Sequence, residues 1–340
     1  MMIKTLKNLC LQSGVSGNED EVREYIVSKA KKHTEDIIVD VMGNVIVYKK
    51  GAKTPKEKLV LCAHMDEVGV VVTSITDQGF LKFAKAGGFD TRVIMGKALV
   101  IGKKRVQGVI GCKAIHLTKK DDKEKPMEPD DMYIDIGAKN RKEAEKLVSL
   151  GDAGVFDEDI REFGDGYIKA KAIDDRFGCA VLLELIESDL PVDCTFAFTV
   201  QEEVGLRGAY TAAYRTAPDI ALIIEGTTAA DLPSVAENKK VCRVGDGPVL
   251  PFMDNGAIYN KEVRSILTKL ADKNKIPWQT KTYIAGATDG SAFQTTRTGI
   301  KTAAIAAPIR NLHSPACVGK ISDMEAVLKL IKLFLEKMGE

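Results

Sequence analysis

The stretch that decides the fold is Leu59-Val60-Leu61-Cys62-Ala63-His64-Met65-Asp66. Its apolar run is almost unbroken, which is typical of a β-strand buried on both faces of a parallel sheet. An open α/β sheet has its active site at the carboxyl ends of its strands, and this run ends in a histidine and an aspartate. Residues two apart on a strand share a face, so Asp66 can hydrogen-bond one imidazole nitrogen of His64 while the other binds a metal. Taken alone, the motif also fits an ordinary hydrogen-bonded histidine at a strand end.

Strand and helix patterns alternate on both sides of a long middle segment. Runs rich in Val, Ile and Phe predict further strands at 39–48, 195–200, 220–224 and 302–307. Apolar residues at helical spacing predict helices over 16–32, 176–188 and 324–338. The first helix has a capping signal, Ser16 followed three residues later by Glu19. This order predicts an α/β fold with a mostly parallel sheet that is covered by helices on both faces.

The pattern changes between residues 68 and 164. Short alternating β segments and Gly-rich turns replace it, with one predicted helix over 140–150 and a charged run at 119–126 that is typical of a solvated hairpin tip. We therefore predict two domains. An α/β domain is formed by residues 1–67 and 165–340, and a small all-β domain of residues 68–164 is inserted into it.

The composition excludes several classes of protein. The 340 residues include 49 basic and 48 acidic side chains, a net charge of +1 that gives no reason to expect nucleic acid or an anionic membrane as a partner. No apolar run approaches the roughly 18 residues of a membrane span. The N-terminus lacks the features of a signal peptide. The seven cysteines are scattered without a C-x-x-C pair, which predicts reduced thiols and a cytoplasmic protein.

Further side chains that can bind metals end or follow strand-like or short apolar runs. Together with His64 they are Asp174, Glu202, Glu203, Glu225 and His313. Each has an ordinary explanation when taken singly, such as a helix cap at Asp174-Asp175 or a solvated turn at Glu202-Glu203. Adjacent carboxylates at the end of a buried strand, however, repel each other unless cations are near. The joint occurrence of these residues favours a metal site, and we assign the other two histidines, His33 and His116, no catalytic role.

These residues lie in motifs that resemble those of the tetrahedral (TET) aminopeptidases, which are dinuclear metallopeptidases also called glutamyl or deblocking aminopeptidases and often labelled cellulases. The resemblance covers nearly the whole chain. It is carried by Ser16-Gly17-Asn18-Glu19, Ala63-His64-Met65-Asp66-Glu67-Val68-Gly69, Ala172-Ile173-Asp174-Asp175-Arg176, Gln201-Glu202-Glu203-Val204-Gly205 and Asn311-Leu312-His313-Ser314-Pro315.

The resemblance implies two divalent metal ions, zinc or cobalt, in each subunit. One ion would be held by His64, Asp174 and Glu225, and the other by Asp174, Glu203 and His313, so that Asp174 bridges them. Glu202 would be the general base, Asp66 would orient His64, and the Asp174-Asp175 peptide bond would be cis. Two positions depart from the family pattern. Many members have Asp in place of Glu225, and Glu in place of Cys317.

The activity implied by the resemblance is removal of N-terminal amino acids from short peptides, with a metal-activated water and Glu202 as its base. The family also implies that the inserted domain forms dimers and that six dimers build a homo-dodecamer. A deacylase, dipeptidase or carboxypeptidase with the same metal-site layout is the closest alternative. An endoglucanase fits less well, because a glycosidase needs two carboxylates but no histidines or bridging aspartate. A non-catalytic homologue would have lost some of these side chains.

Overall fold

The computed structural model describes residues 2–114, 116 and 127–340. Within these residues the chain forms one large sheet, one closed β-barrel and helices that pack mainly on the sheet. The charged run predicted to be a hairpin tip, at 119–126, lies outside the described residues. Among the residues that are described, no helix combines the length and the apolar character needed to cross a membrane.

The large sheet has nine strands among the described residues. In their order across the sheet they are β1 (Ile37–Val39), β2 (Val45–Lys49), β12 (Cys194–Thr199), β3 (Leu59–His64), β13 (Ile220–Thr228), β14 (Lys301–Arg310), β15 (Cys317–Lys320), β11 (Tyr167–Ala170) and β10 (Arg161–Phe163). The stretch quoted at the start of the sequence analysis is therefore a central strand, β3.

Parallel pairing is confined to four neighbouring strands at the centre of the sheet. There β3 pairs with β12 and β13, and β13 pairs with β14. The strands on either side pair antiparallel. The prediction of a mostly parallel sheet is therefore wrong for the flanks. Helical crossovers, which parallel pairing requires, join only the central strands, whereas pairs such as β10 and β11 are joined by tight turns.

The described residues form eight α-helices. They are α1 (Met2–Cys10), α2 (Asp20–Ala30), α3 (Arg141–Leu147), α4 (Ile173–Glu187), α5 (Arg207–Thr216), α6 (Lys261–Lys273), α7 (Gly290–Thr295) and α8 (Ile321–Met338). The predicted helices over 140–150, 176–188 and 324–338 correspond to α3, α4 and α8. In α4, the amide of Gly178 donates to Asp175 Oδ1, so Asp175 caps the helix as its sequence position suggests.

Both faces of the central sheet are buried, and β3 shows why its sequence is continuously apolar. Leu59, Leu61 and Ala63 belong to a hydrophobic cluster that includes residues of α1, α2, α4 and α8. Val60 and Cys62 point the other way, into a second cluster with residues of α5 and α7. Alternate residues of a strand face opposite sides, so a strand that is covered on both sides buries every side chain and favours apolar residues throughout.

Two local predictions are wrong. The single strand expected over 39–48 is a hairpin, because Asp40 Oδ1 accepts hydrogen bonds from the amides of Gly43 and Asn44 and closes a turn between β1 and β2. The helix expected over 16–32 begins only at Asp20. Ser16 does not cap it, since its hydroxyl donates to Asp66 instead, 50 residues further along the chain.

The middle segment forms a closed barrel with a hydrophobic cluster of its own. Its strands, in order around the barrel, are β4 (Gly69–Ile75), β5 (Leu81–Ala86), β8 (Met132–Asp135), β7 (Val106–Cys112), β6 (Ala98–Ile101) and β9 (Ala153–Phe156). These strands lie within the predicted insert, 68–164. The end of that segment does not follow the barrel, because β10 pairs with β11 of the large sheet.

Candidate metal centre

The predicted ligands meet at one end of the parallel strands. His64 is the last residue of β3, and Glu202 and Glu203 come three and four residues after the end of β12. Glu225 lies inside β13, which is longer than the predicted run, and His313 follows β14. Since β12, β3, β13 and β14 are adjacent and parallel, their carboxyl ends bring these side chains to one edge.

A first group of three ligands is buried at this edge. His64 Nε2 lies 3.4 Å from Asp174 Oδ1 and 3.3 Å from Glu225 Oε1. The three side chains are between 2% and 8% exposed. Glu225, which stands where many family members have Asp, therefore reaches the same point as the other two ligands.

A second group shares one member with the first. His313 Nε2 lies 3.3 Å from Asp174 Oδ2 and 3.3 Å from Glu203 Oε1. The two oxygens of Asp174 thus face two different histidines, as a bridging carboxylate would. In this second group the histidine side chain is 34% exposed.

Glu202 belongs to neither of these groups but lies beside both. Its carboxylate, His64 and Glu203 offer ligand atoms that are all within 4.8 Å of one another. Burial, together with the negative charges of Glu225 and Asp289, raises the pKa of Glu202 well above its usual value.

Asp66 holds the strand ends together. Its Oδ1 lies 3.4 Å from His64 Nδ1 and accepts a hydrogen bond of 3.0 Å from the amide of Glu202. Its Oδ2 accepts hydrogen bonds of 2.6 Å from the Ser16 hydroxyl and 3.2 Å from the Glu203 amide. Burial alone would raise the pKa of Asp66, but these partners lower it, so the carboxylate stays charged.

The donor set fits two cations. Two ligand atoms bound at about 2.1 Å to a tetrahedral zinc ion are about 3.4 Å apart, and the histidine–carboxylate separations in each group are 3.3–3.4 Å. Carboxylates outnumber the two imidazoles. Burial and mutual repulsion raise the pKa of Glu225 well above its usual value and that of Glu203 to about 7. Bound cations would relieve this repulsion.

Comparison with known proteins identifies the chain. The family model for M42 glutamyl aminopeptidases matches residues 43–330. This chain belongs to the M42 aminopeptidase family. A protein of Acetivibrio thermocellus whose aminopeptidase name is provisional is 40% identical over 332 residues, covering 97% of either chain. The family and its named relatives establish this protein as an aminopeptidase, a hydrolase of peptide bonds.

Solved structures agree with that assignment. The aminopeptidase APDkam598 of Desulfurococcus kamchatkensis is 36% identical, with a TM-score of 0.93 over 99% of this chain and 94% of its own. The TET1 peptidase of Pyrococcus horikoshii, which can assemble into a tetrahedron or a large octahedral shell, is also 36% identical. Its TM-score is 0.86, and 98% of each chain is covered.

Other expectations for this M42 aminopeptidase can be compared with the structure directly. The Asp174-Asp175 peptide bond is cis, as the resemblance implied. His33 and His116 are both exposed and lie in none of the ligand groups found among the described residues. Cys317 is buried, and its thiol donates to the Ser314 carbonyl at 3.5 Å.

Sequence reasoning missed a buried ion cluster behind the metal centre of this aminopeptidase. The Glu67 carboxylate accepts from Lys171 Nζ at 2.7 Å and from Arg176 Nη2 at 3.0 Å. Arg176 also donates to the Leu9 carbonyl at 2.7 Å. Glu67 follows Asp66 directly, and Arg176 comes two residues after Asp174, so the cluster ties the two ligand-bearing segments together. Adjacency to the ligands was the only signal in the sequence.

Asp289 is a second missed residue. It is 1% exposed, and its Oδ2 accepts a hydrogen bond of 2.5 Å from Thr199, the last residue of β12. Its Oδ1 has no hydrogen-bond partner among the described residues. Burial raises the pKa of Asp289 to about 6. It directly precedes α7.

Proposed function

We propose that this aminopeptidase works with two divalent metal ions held by the two ligand groups. His64, Asp174 and Glu225 would hold one ion, and Asp174, Glu203 and His313 the other. The observation that carries this proposal is the position of Asp174, whose two oxygens face two separate histidine–carboxylate pairs. Zinc and cobalt both suit imidazole and carboxylate ligands, and we propose one of them as the native metal.

The chemistry divides between the ions and the chain. Bound divalent ions lower the pKa of water and polarise a carbonyl group. We assign Glu202 the role of general base, which takes a proton from the attacking water and passes it to the leaving amine. Asp66 would keep the His64 ring in place and, through its bonds to the Glu202 and Glu203 amides, fix the base relative to the ligands.

The test of this mechanism is Glu202→Gln. This change keeps the size of the side chain but removes its ability to take a proton. We expect two metal ions per subunit, as in the wild type, and a kcat lower by about 10²–10⁴-fold. Elemental analysis gives the metal count and a chromogenic aminoacyl substrate gives the rate. Near-normal turnover by the Glu202→Gln protein would show that Glu202 is not the general base.

We propose short peptides with a free N-terminus as substrates. A panel of aminoacyl chromogenic substrates, each with an N-acylated counterpart, distinguishes this activity from that of a deacylase, dipeptidase or carboxypeptidase with a similar site. Activity should disappear with a chelator and return when zinc or cobalt is added. Hydrolysis of carboxymethylcellulose that survives metal removal would instead favour the endoglucanase alternative.

The assembly is also a proposal. We assign residues 1–67 and 165–340 to the catalytic domain. We assign residues 68–164, the barrel segment, to the formation of dimers, and we propose that six dimers form a homo-dodecamer. The support is the similarity to TET1 of Pyrococcus horikoshii, which forms closed shells. Light scattering of the purified protein measures the number of subunits. All seven cysteines are free in the structure, which supports a reducing compartment such as the cytoplasm.

A further inference from the structure

A loop of the barrel lies directly against the second ligand group. We call residues 87–90, which follow β5, the diglycine loop because they contain Gly87 and Gly88. Gly87 has a φ of +84°, and a Cβ added there would lie 3.2 Å from the Cβ of Glu203 and 2.8 Å from Val68 Cγ1. The loop backbone therefore touches a metal ligand with no room for a side chain between them.

The same loop contacts the histidine of that group. The carbonyl of Gly88 lies beside the His313 ring and is one of the groups that raise the pKa of His313. His313 Nε2 already faces Asp174 and Glu203, which leaves the other ring nitrogen for this carbonyl. Metal-binding histidines almost always donate their second N–H to a carbonyl or carboxylate, which fixes the tautomer and the orientation of the ring.

The barrel also keeps the diglycine loop in its shape. Lys85 Nζ donates to the Phe89 carbonyl at 2.9 Å, and the Phe89 ring packs edge-on against Phe156 with the ring centres 5.8 Å apart. Phe156, at the end of β9, lines the same cavity as Asp174, Glu203 and His313. The barrel core therefore extends without a break to the second ligand group.

An ion bridge fixes the barrel to the sheet close to this cavity. Glu158, two residues after Phe156, lies 2.9 Å from Lys97 Nζ of the barrel segment and 3.2 Å from Lys169 Nζ of β11. In the first ligand group, by contrast, His64 lies 3.4 Å from Asp66, which follows β3 of the large sheet.

We propose that the diglycine loop positions Glu203 and His313, so that the second metal site depends on the barrel whereas the first does not. Gly87 sets how closely the loop approaches Glu203, and the Gly88 carbonyl orients His313. This inference rests on the dinuclear site proposed above. It gives the barrel a part in building the active site, separate from any role in assembly.

The test compares Gly87→Ala with Gly151→Ala. Gly151 lies in the barrel segment with a φ of +87°, close to that of Gly87, but a Cβ there would meet no atom within 4 Å. Both changes carry a similar backbone strain, and only Gly87→Ala pushes against Glu203. Stepwise metal titration of the metal-free proteins is the measurement. We expect Gly87→Ala protein to bind the first ion as the wild type does and the second about 10–100-fold more weakly.

Gly151→Ala protein should bind both ions with wild-type affinity. Equal affinity of the Gly87→Ala and Gly151→Ala proteins for the second ion would overturn the proposal. A wild-type protein that never takes up two ions would instead refute the dinuclear site itself. The cobalt-substituted proteins supply a second readout, since only Gly87→Ala should change the visible spectrum contributed by the second ion.

Phe89→Leu is the alternative variant if Gly87→Ala does not fold. It removes the ring that packs on Phe156 and loosens the loop without adding an atom near Glu203. Its control is Phe83→Leu, because Phe83 is equally buried in the barrel core but lies in β5 rather than in the loop. Weaker binding of the second ion in Phe89→Leu alone supports the proposal, and equal weakening in both variants contradicts it.

Discussion

The two ligand groups share Asp174 but differ in their surroundings. His64 is 2% exposed and lies among strands that are buried on both faces, whereas His313 is 34% exposed and follows the end of β14 in a turn. The first group is part of the protein interior, and the second opens towards solvent. The comparison indicates that the first group contributes to the stability of the fold and that the second can change with little effect on it.

The largest expected effect comes from Asp174→Ala, which removes the member common to both groups. Both sites lose a ligand at once, so we expect fewer than one tightly bound ion per subunit and activity at the background level. Elemental analysis after dialysis and a peptidase assay measure these two quantities. If the variant keeps two ions, Asp174 does not bridge them.

His64→Ala and His313→Ala should separate the two groups. Removing His64 leaves Asp66, Asp174 and Glu225 buried without their cation, which should lower the free energy of unfolding of the metal-free protein by about 3 kcal/mol or more. His313 is partly exposed, so its removal should cost about 1 kcal/mol or less. Urea unfolding without metal gives both values. Equal destabilisation by His64→Ala and His313→Ala would show that the two ligand groups do not differ in their contribution to stability.

Glu67→Gln tests the buried ion cluster, whose Glu67 and Lys171 line the same cavity as the second ligand group. The change leaves Lys171 and Arg176 without a carboxylate, and breaking a buried ion pair in this way typically costs about 3–5 kcal/mol. Adding Lys171→Met restores the original net charge of the cluster, so the double variant should recover part of the loss. A double-mutant cycle on the free energies of unfolding measures this coupling, and additive effects would contradict it.

Ser16→Ala should change metal binding less than the loss of a metal ligand does. It deletes a buried hydrogen bond of 2.6 Å to the charged Asp66, a kind of bond that contributes about 1.5–3 kcal/mol. Asp66 Oδ2 accepts from both Ser16 and the Glu203 amide, and Oδ1 faces His64, so both ions should bind somewhat more weakly than in the wild type. Metal titration measures the two affinities. Unchanged affinity for both ions would show that Ser16 does not support the site.

Much of the site could be predicted from the sequence because its metal-binding side chains occur at or after the ends of strands that lie side by side. His64, Glu202, Glu203 and His313 each come at or after the end of an apolar run, and strand ends meet at one edge of a parallel sheet. The geometry brings all six predicted metal-site and base residues together. Their division into two groups required the resemblance, since spacing along the chain does not show which carboxylate oxygen faces which histidine.

The features that were missed depend on contacts between distant parts of the chain. Ser16 has the local pattern of a helix cap, but a buried carboxylate 50 residues away is the stronger acceptor for its hydroxyl. Glu67 and Arg176 are unremarkable in sequence, and only the fold brings them together. The direction of the flanking strands was likewise set by short turns and neighbouring strands rather than by their apolar pattern.

The order of the ligands along the chain has a consequence for protein synthesis. The first group needs residues from 64 to 225, and the second is not complete until His313, shortly before the C-terminal helix. A growing chain on the ribosome therefore lacks a complete second ligand group until residue 313 has been added. Because the proposed mechanism needs both ligand groups, a nascent chain would have no peptidase activity before His313 has been added.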